Sequence, residues 1–474
     1  MWVSRDHYLP PPADHAIVPV WESTVIPAAI RLFNAGNVEM TSLVLLQRVQ
    51  PIEELESGEE PYGPRIILWI GVEPGSLTTA QAHELVVQAA SMLASHSTSQ
   101  IYVECHKSKI DDYSSPPFLP DAPRSSTREM ELPFQLGTGW SIAPVSQPSS
   151  RATGGLFITL EGLDGAFLVS CQHALTPHNA LERRLNPLET GEAVTLLSDD
   201  FFDIHLDNIA KARDDTAELI DECMRAILDI HPDDEAKADR EGRLHVQLSE
   251  RHQDLANLHR LLTQDWSERD ARIVGTVSCH PAIDKMSGYT SNGFEPSAVL
   301  SFISDWGLIK LNPEIDIQTI SPNIVRLPER LPRNGPFTFA PGTLRGQAVT
   351  VTEILPTSVF NGTNTPCYKQ GAATGGSTGI THPIAGVKRE KCGFDSDGVL
   401  IFDYQYSLAL PIQGPPGKDF SAPGDSGSVV IDQEGRAIAM IMAGNRDNQV
   451  TFALPIDIMF QHIEDFTGHK PRLI

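Results

Sequence analysis

With 474 residues, 41% of them hydrophobic and 20% charged, the chain reads as globular and too long for one ordinary core, so two or three domains are expected. A formal charge of −25 excludes nucleic acid and an anionic membrane surface as electrostatic partners, although acidic residues crowded into 199–254 also fit a solvated helical face. The six cysteines (Cys105, Cys171, Cys223, Cys279, Cys367 and Cys392) include no C-x-x-C pair and are too sparse for a disulfide scaffold.

The opening "MWVSRDHYLPPPADHAIVPV" has no apolar run suited to a secretory leader, and no stretch approaches the ~18 apolar residues of a membrane span. An intracellular, cytoplasmic and reduced setting is the expectation. Residues 1–115 read as a small α/β domain. "TSLVLLQRVQ" (41–50) and "RIILWIGV" (65–72) are strand runs. Thr78 then caps a helix, with Gln81 completing a capping box, and "SQIYVECHKS" (99–108) follows as a strand, giving a right-handed β-α-β unit. Its histidines, His83 and His96, are isolated and read as solvated. Between 114 and 152, Pro and Ser accumulate, as in "SSPPFLPDAPRSS" and "APVSQPSSRATGG", which is linker and turn chemistry. We place the linker at 116–132 and a second domain at 133–474.

Beyond it come many short β-rich runs: "GLFITLEG", "GAFLVSC", "AVTLLS", "ARIVGTVS", "WGLIKLN", "QAVTVTEILP", "GVLIFDYQYSLAL", "GSVVID" and "AIAMIMAG". Strands without regular intervening helices indicate an antiparallel barrel or sandwich. Residues 203–266 break the pattern with two long helical periodicities. One stripe uses Leu206, Ile209, Leu219, Cys223, Ile227 and Ile230; the other uses Leu244, Leu248, Leu255, Leu258 and Leu262. "HPDDE" separates them, which predicts a helical hairpin inserted in the β domain. Its charged outer faces are explained by solvation, and they are also where a protein partner could dock. The chain is expected to finish on a helix, "PIDIMFQHIEDFTG".

The chemistry centres on "FSAPGDSGSVVI" (420–431). A Gly-Asp-Ser-Gly string arises by chance in roughly one chain of this length in a hundred, so alone it could be a plain hairpin turn. As a nucleophile loop, Gly424 would let its own N–H and that of Ser426 converge on an oxyanion, and Gly427 would carry the chain away. Serine needs a base. "FLVSCQHAL" places His173 just past an apolar strand, whereas His205, His231, His245, His252 and His259 lie in the charged insert and His280 and His382 sit in proline turns. An orienting acid is supplied by Asp305 in "SFISDWGLIKLN", costly to bury without a partner such as an imidazole N–H; otherwise it caps a turn.

These three segments, in the order His, Asp, Ser, resemble the motifs of the trypsin/chymotrypsin-like serine proteases. The resemblance spans about residues 133–474, and the layout with an α/β unit in front and a helical insert is similar to fungal members with a trypsin-like core. It implies two six-stranded β-barrels, with His173 as general base and acid, Asp305 as its orienting carboxylate and Ser426 as nucleophile. The N–H groups of Gly424 and Ser426 would form the oxyanion hole, and "YKQGAATGGSTG" would open the second barrel. By position, Phe420 would approach the base of the specificity pocket and Gly444 its wall, favouring an apolar or small side chain. Ser428 replaces a usual glycine, and the separation of 132 positions from His173 to Asp305 far exceeds the family habit, the insert accounting for most of the excess. No activation site is recognisable, so Asp425 would be held by local hydrogen bonds. The expected function is a serine endopeptidase acting on protein or peptide substrates without cofactor or metal. The alternative is a catalytically silent protease-like module that binds partners. An α/β-hydrolase fails on motif order, with only 48 residues after Ser426. A Cys171 protease lacks a paired base, and no His/Cys/Asp cluster has metal-ligand spacing.

Overall fold

The computed structural model describes residues 7–49, 63–96, 100–112, 134, 137–176, 182–185, 191–231, 234–286, 300–315, 323–327, 348–360, 362–391, 404–415 and 417–474. The expected linker at 116–132 and Cys392 lie outside them. The fold is mainly β, built on two large sheets and a two-stranded one. No helix among the described residues is long and apolar enough to cross a membrane.

The first large sheet has eight strands, all antiparallel. Its order is Pro471–Leu473, Phe157–Leu160, Phe167–Ser170, Gly307–Leu311, Ile273–Cys279, Ala193–Leu196, Trp140–Pro144 and Ala152–Gly154. The last two lie in the Pro- and Ser-rich stretch that composition assigns to turns. "WSIAP" is too short to show a period, yet all five residues are buried, so tertiary packing overrides the local turn signal.

The helical pair is present, as Asp199–Leu228 and Glu235–Asp265 packed together. It leaves from Ala193–Leu196 and returns to Ile273–Cys279, and those strands pair with each other. An insert between adjacent strands enters and leaves at one place, so its length costs the sheet little. Phe201, Phe202, Ile209, Leu255, Leu258 and Leu262 bury the root of the hairpin. Arg272 pairs with Asp199 at 2.7 Å and covers the Phe202 ring. Toward the tip the expected stripes open out, leaving Leu219 and Leu244 exposed while Cys223 stays buried.

In the second large sheet six strands close on themselves. The circuit is Gly375–Thr381, Pro366–Gly371, Val429–Ile431, Ala437–Asn445, Val450–Pro455 and Tyr404–Gln413, which returns to Gly375–Thr381 through Ile380↔Gln413. Leu355, Cys367, Leu410, Ile412, Phe420, Val430, Ile438, Ala439, Ile441 and Ala453 form a separate buried apolar cluster.

The N-terminal α/β elements continue this same sheet. Met40–Val49 pairs with Gly386–Lys391, then with Arg65–Val72, which pairs in parallel with Tyr102–Lys107. Helix Thr79–Ala94 makes the crossover, and Thr78 and Gln81 form the capping box. A two-residue strand, Asp111–Asp112, leaves this unit and pairs with Ala437–Asn445.

Candidate active site

Strand register brings the acid to the base. Phe167–Ser170 pairs antiparallel with Gly307–Leu311, Ser170 opposite Gly307. The chain leaving Ser170 and the chain arriving at Gly307 therefore share one end of the sheet. A single helical turn, Gln172–Leu175, then turns His173 toward Asp305. His173 Nδ1 lies 2.6 Å from Asp305 Oδ2, and the His173 backbone N–H donates to Asp305 Oδ1 at 3.0 Å. Next to the acid, Trp306 is fully buried, and its indole N–H donates to His462 Nδ1 at 2.9 Å, tying this turn to helix Ile456–Thr467. Burial pushes the Asp305 carboxyl up, but the charge and hydrogen bonds of His173, with the Lys388 charge, outweigh it and hold it below the usual carboxylate range.

Ser426 Oγ stands 3.1 Å from His173 Nε2 and 2.8 Å from the Met442 carbonyl oxygen. The three residues singled out from sequence thus meet in one relay, with side chains of His173 and Asp305 only 4% exposed. Ser426 itself has no exposed surface. A hydroxyl has one proton, so Met442 O and His173 Nε2 compete for it.

The loop around Ser426 is pinned from both sheets. Thr153 N–H donates to the Ser426 carbonyl at 2.7 Å, and Thr153 Oγ1 donates to the Gly424 carbonyl at 2.8 Å. With its carbonyls turned toward Thr153, the loop leaves the N–H groups of Gly424 and Ser426 without an acceptor among the described residues. Gly424 has φ +102°, as the turn demands. Gly427 is constrained differently from the expected clear exit: at φ +93° its Cβ would sit 2.0 Å from the Thr153 oxygen. Glycine is required there for contact between the sheets.

Behind the loop lies a buried ion pair. Asp425 Oδ2 accepts from Lys369 Nζ at 2.7 Å, both side chains being inaccessible. The same carboxylate accepts from the N–H groups of Ala373 (2.9 Å), Thr374 (3.2 Å) and Ala422 (2.9 Å) and from Thr374 Oγ1 (2.7 Å). Burial lowers the Lys369 ammonium from its ordinary range, opposed by the charge and hydrogen bond of Asp425. The local hydrogen bonds expected of Asp425 are present, and Lys369 adds a charge that sequence inspection missed. Its signal was a lone lysine inside the strand Pro366–Gly371, next to a buried tyrosine. Thr153 and Met442 were also missed: Met442 acts through its carbonyl and Thr153 through its N–H as well as its hydroxyl, and neither stands out in the sequence.

The two pocket residues go different ways. Phe420 is fully buried in the apolar cluster of the six-stranded circuit, its ring against Gly379, where a Cβ would come within 2.7 Å. The bare Cα of Gly379 leaves room for the ring on that side. Gly444 lies on Ala437–Asn445, two residues beyond Met442, and is buried.

Cys171, His173 and Asp305 form the one group among the described residues whose potential metal-ligand atoms lie within 4.8 Å of one another. All three are already engaged in hydrogen bonds: His173 and Asp305 with each other, and the Cys171 thiol with the Ile441 carbonyl at 3.1 Å. No family model matches the chain, and no curated protein matches it.

Proposed function

We propose that the chain is a serine endopeptidase of the trypsin/chymotrypsin-like type, cleaving protein or peptide substrates through an acyl-enzyme on Ser426. One observation carries this: Asp305, His173 and Ser426 stand in sequence at 2.6 and 3.1 Å. Such spacing is what general-base activation of a hydroxyl needs. In this reading the closed six-stranded circuit and the eight-stranded sheet correspond to the family's two barrels, with the nucleophile loop where they meet.

With Nδ1 donating to Asp305, the neutral ring presents Nε2 as an acceptor. The Ser426 proton passes to Nε2 as Oγ attacks the peptide carbonyl, and Asp305 stabilises the imidazolium that results. The carbonyl oxygen becomes an oxyanion held by the N–H groups of Gly424 and Ser426. His173 then returns the proton to the leaving amine. Water repeats the cycle, with His173 again as base, and releases the acyl group from Ser426.

The silent-module alternative gains support from Ser426 having no exposed surface and from its Met442 contact. Covalent labelling by a fluorophosphonate separates the two. Labelling that vanishes in Ser426→Ala supports the hydrolase, and a folded protein that never labels supports the module.

A further inference from the structure

Strand Ala437–Asn445 is flanked on one side by Val450–Pro455 along most of its length. On its other side Gly427–Ile431 pairs with it only as far as Ile441, whose N–H donates to the Ser428 carbonyl and whose carbonyl accepts from the Gly427 N–H. Past that point the strand would present an open edge beginning beside Ser426, since Met442 supplies the carbonyl next to Oγ. An open edge is a template for an extended peptide. Here the edge is filled from within the chain: Asp112 lies opposite Ala443 and Asp111 opposite Gly444, antiparallel.

The filling segment is anchored. Ser108, just past strand Tyr102–Lys107, accepts from Asn445 Nδ2 at 2.5 Å, and both residues are about 1% exposed. Ile110 packs against the main core. The N-terminal unit, joined to the same sheet through Met40–Val49, thereby delivers the segment to the edge. The nucleophile one residue along that edge has no exposed surface.

Pairing of an extended peptide substrate along this edge is what the serine-protease reading itself implies; we propose that Asp111–Asp112 is the resident, displaceable occupant of that edge, so that the N-terminal unit holds the site covered. The proposal rests on Ser426 as nucleophile. It assigns a role to a unit whose own residues carry no chemistry. Substrate must compete with a tethered strand, and apparent affinity falls by the fraction of molecules whose edge is open.

The test uses the full chain and the double substitution Asp111→Pro/Asp112→Pro, which deletes the strand's own N–H donors, with Ser108→Ala as a milder second variant. Three readouts are followed: modification of Ser426 by a peptidyl diphenylphosphonate, modification by a small fluorophosphonate, and amide exchange across Ala443–Gly444. The expected result is about a tenfold faster peptidyl reaction in the double variant, the gain when a competitor loses its ladder hydrogen bonds. The small probe gains less, exchange at Ala443–Gly444 speeds up, and Ser108→Ala falls in between. Equal peptidyl rates and equal exchange in all three proteins would overturn the proposal. If neither probe labels any of them, the hydrolase assignment fails, and exchange alone then decides whether the segment covers the edge.

Discussion

Replacing Lys369 with methionine removes one member of a fully buried ion pair and leaves the volume nearly unchanged. Asp425 keeps its three backbone donors and Thr374 but loses the cation it pairs with. Orphaning a buried charge in this way costs about 3–5 kcal/mol. The surviving donors place the loss near the lower end, about 3 kcal/mol. The strain falls on the residue between Gly424 and Ser426, whose N–H groups are the proposed oxyanion donors. A carboxylate that swings out for hydration takes both donors with it. Loss of one such donor slows acyl transfer by about 10²–10³-fold, so Lys369→Met should reduce both peptide hydrolysis and fluorophosphonate labelling at least 10²-fold. Adding Asp425→Asn discharges the orphan and should recover most of the stability, read by urea denaturation, with incomplete recovery of rate. A Lys369→Met protein that unfolds cooperatively and labels within about twofold of the parent would refute the link between this pair and the oxyanion loop.

Asp305→Asn should leave the fold intact and lower turnover about 10⁴-fold, because an amide no longer fixes the ring tautomer; peptide hydrolysis with matched circular dichroism measures it. Gly427→Ala forces a Cβ to within 2.0 Å of the Thr153 oxygen at φ +93°, and should lose about 2 kcal/mol or more in urea denaturation. His205, at the root of the helical hairpin between Phe134 and Phe201, has its pKa lowered to about 4 by burial and by the Arg151 charge. The unfolded chain binds the proton first, so this contribution is complete above pH ~6.5 and lost as pH falls toward 4. After allowance for partial exposure it is worth roughly 2 kcal/mol, and His205→Leu should flatten the pH dependence of stability across that window.

The relay was legible because its chemistry demands particular side chains in particular surroundings. A histidine past an apolar strand, an aspartate between apolar runs and a serine between glycines each stand out. The helical insert was legible through its period, although Leu219 and Leu244 follow the stripe and still face solvent. What holds the relay in place was not legible. Thr153 works through its N–H and hydroxyl on carbonyls more than 270 residues away, Met442 through a carbonyl, and Lys369 through a partner 56 residues away. The continuity of the N-terminal unit with the second sheet depends on two strand edges meeting, and edges leave no local period. A two-residue strand such as Asp111–Asp112 leaves none at all.

The eight-stranded sheet receives its outermost member late. Pro471–Leu473 pairs with Phe157–Leu160 across more than 300 positions, and Asn323 donates to backbone carbonyls of both Phe157 and Ile474. During synthesis, Phe157–Leu160 therefore waits with one side bare until residue 473 clears the ribosome, as does Trp306 for His462. A stalled nascent chain lacks the closing strand and the helix that braces the acid. On the proposed reading the relay gains this bracing only after both segments have emerged, and until then the waiting strand presents an unpaired edge.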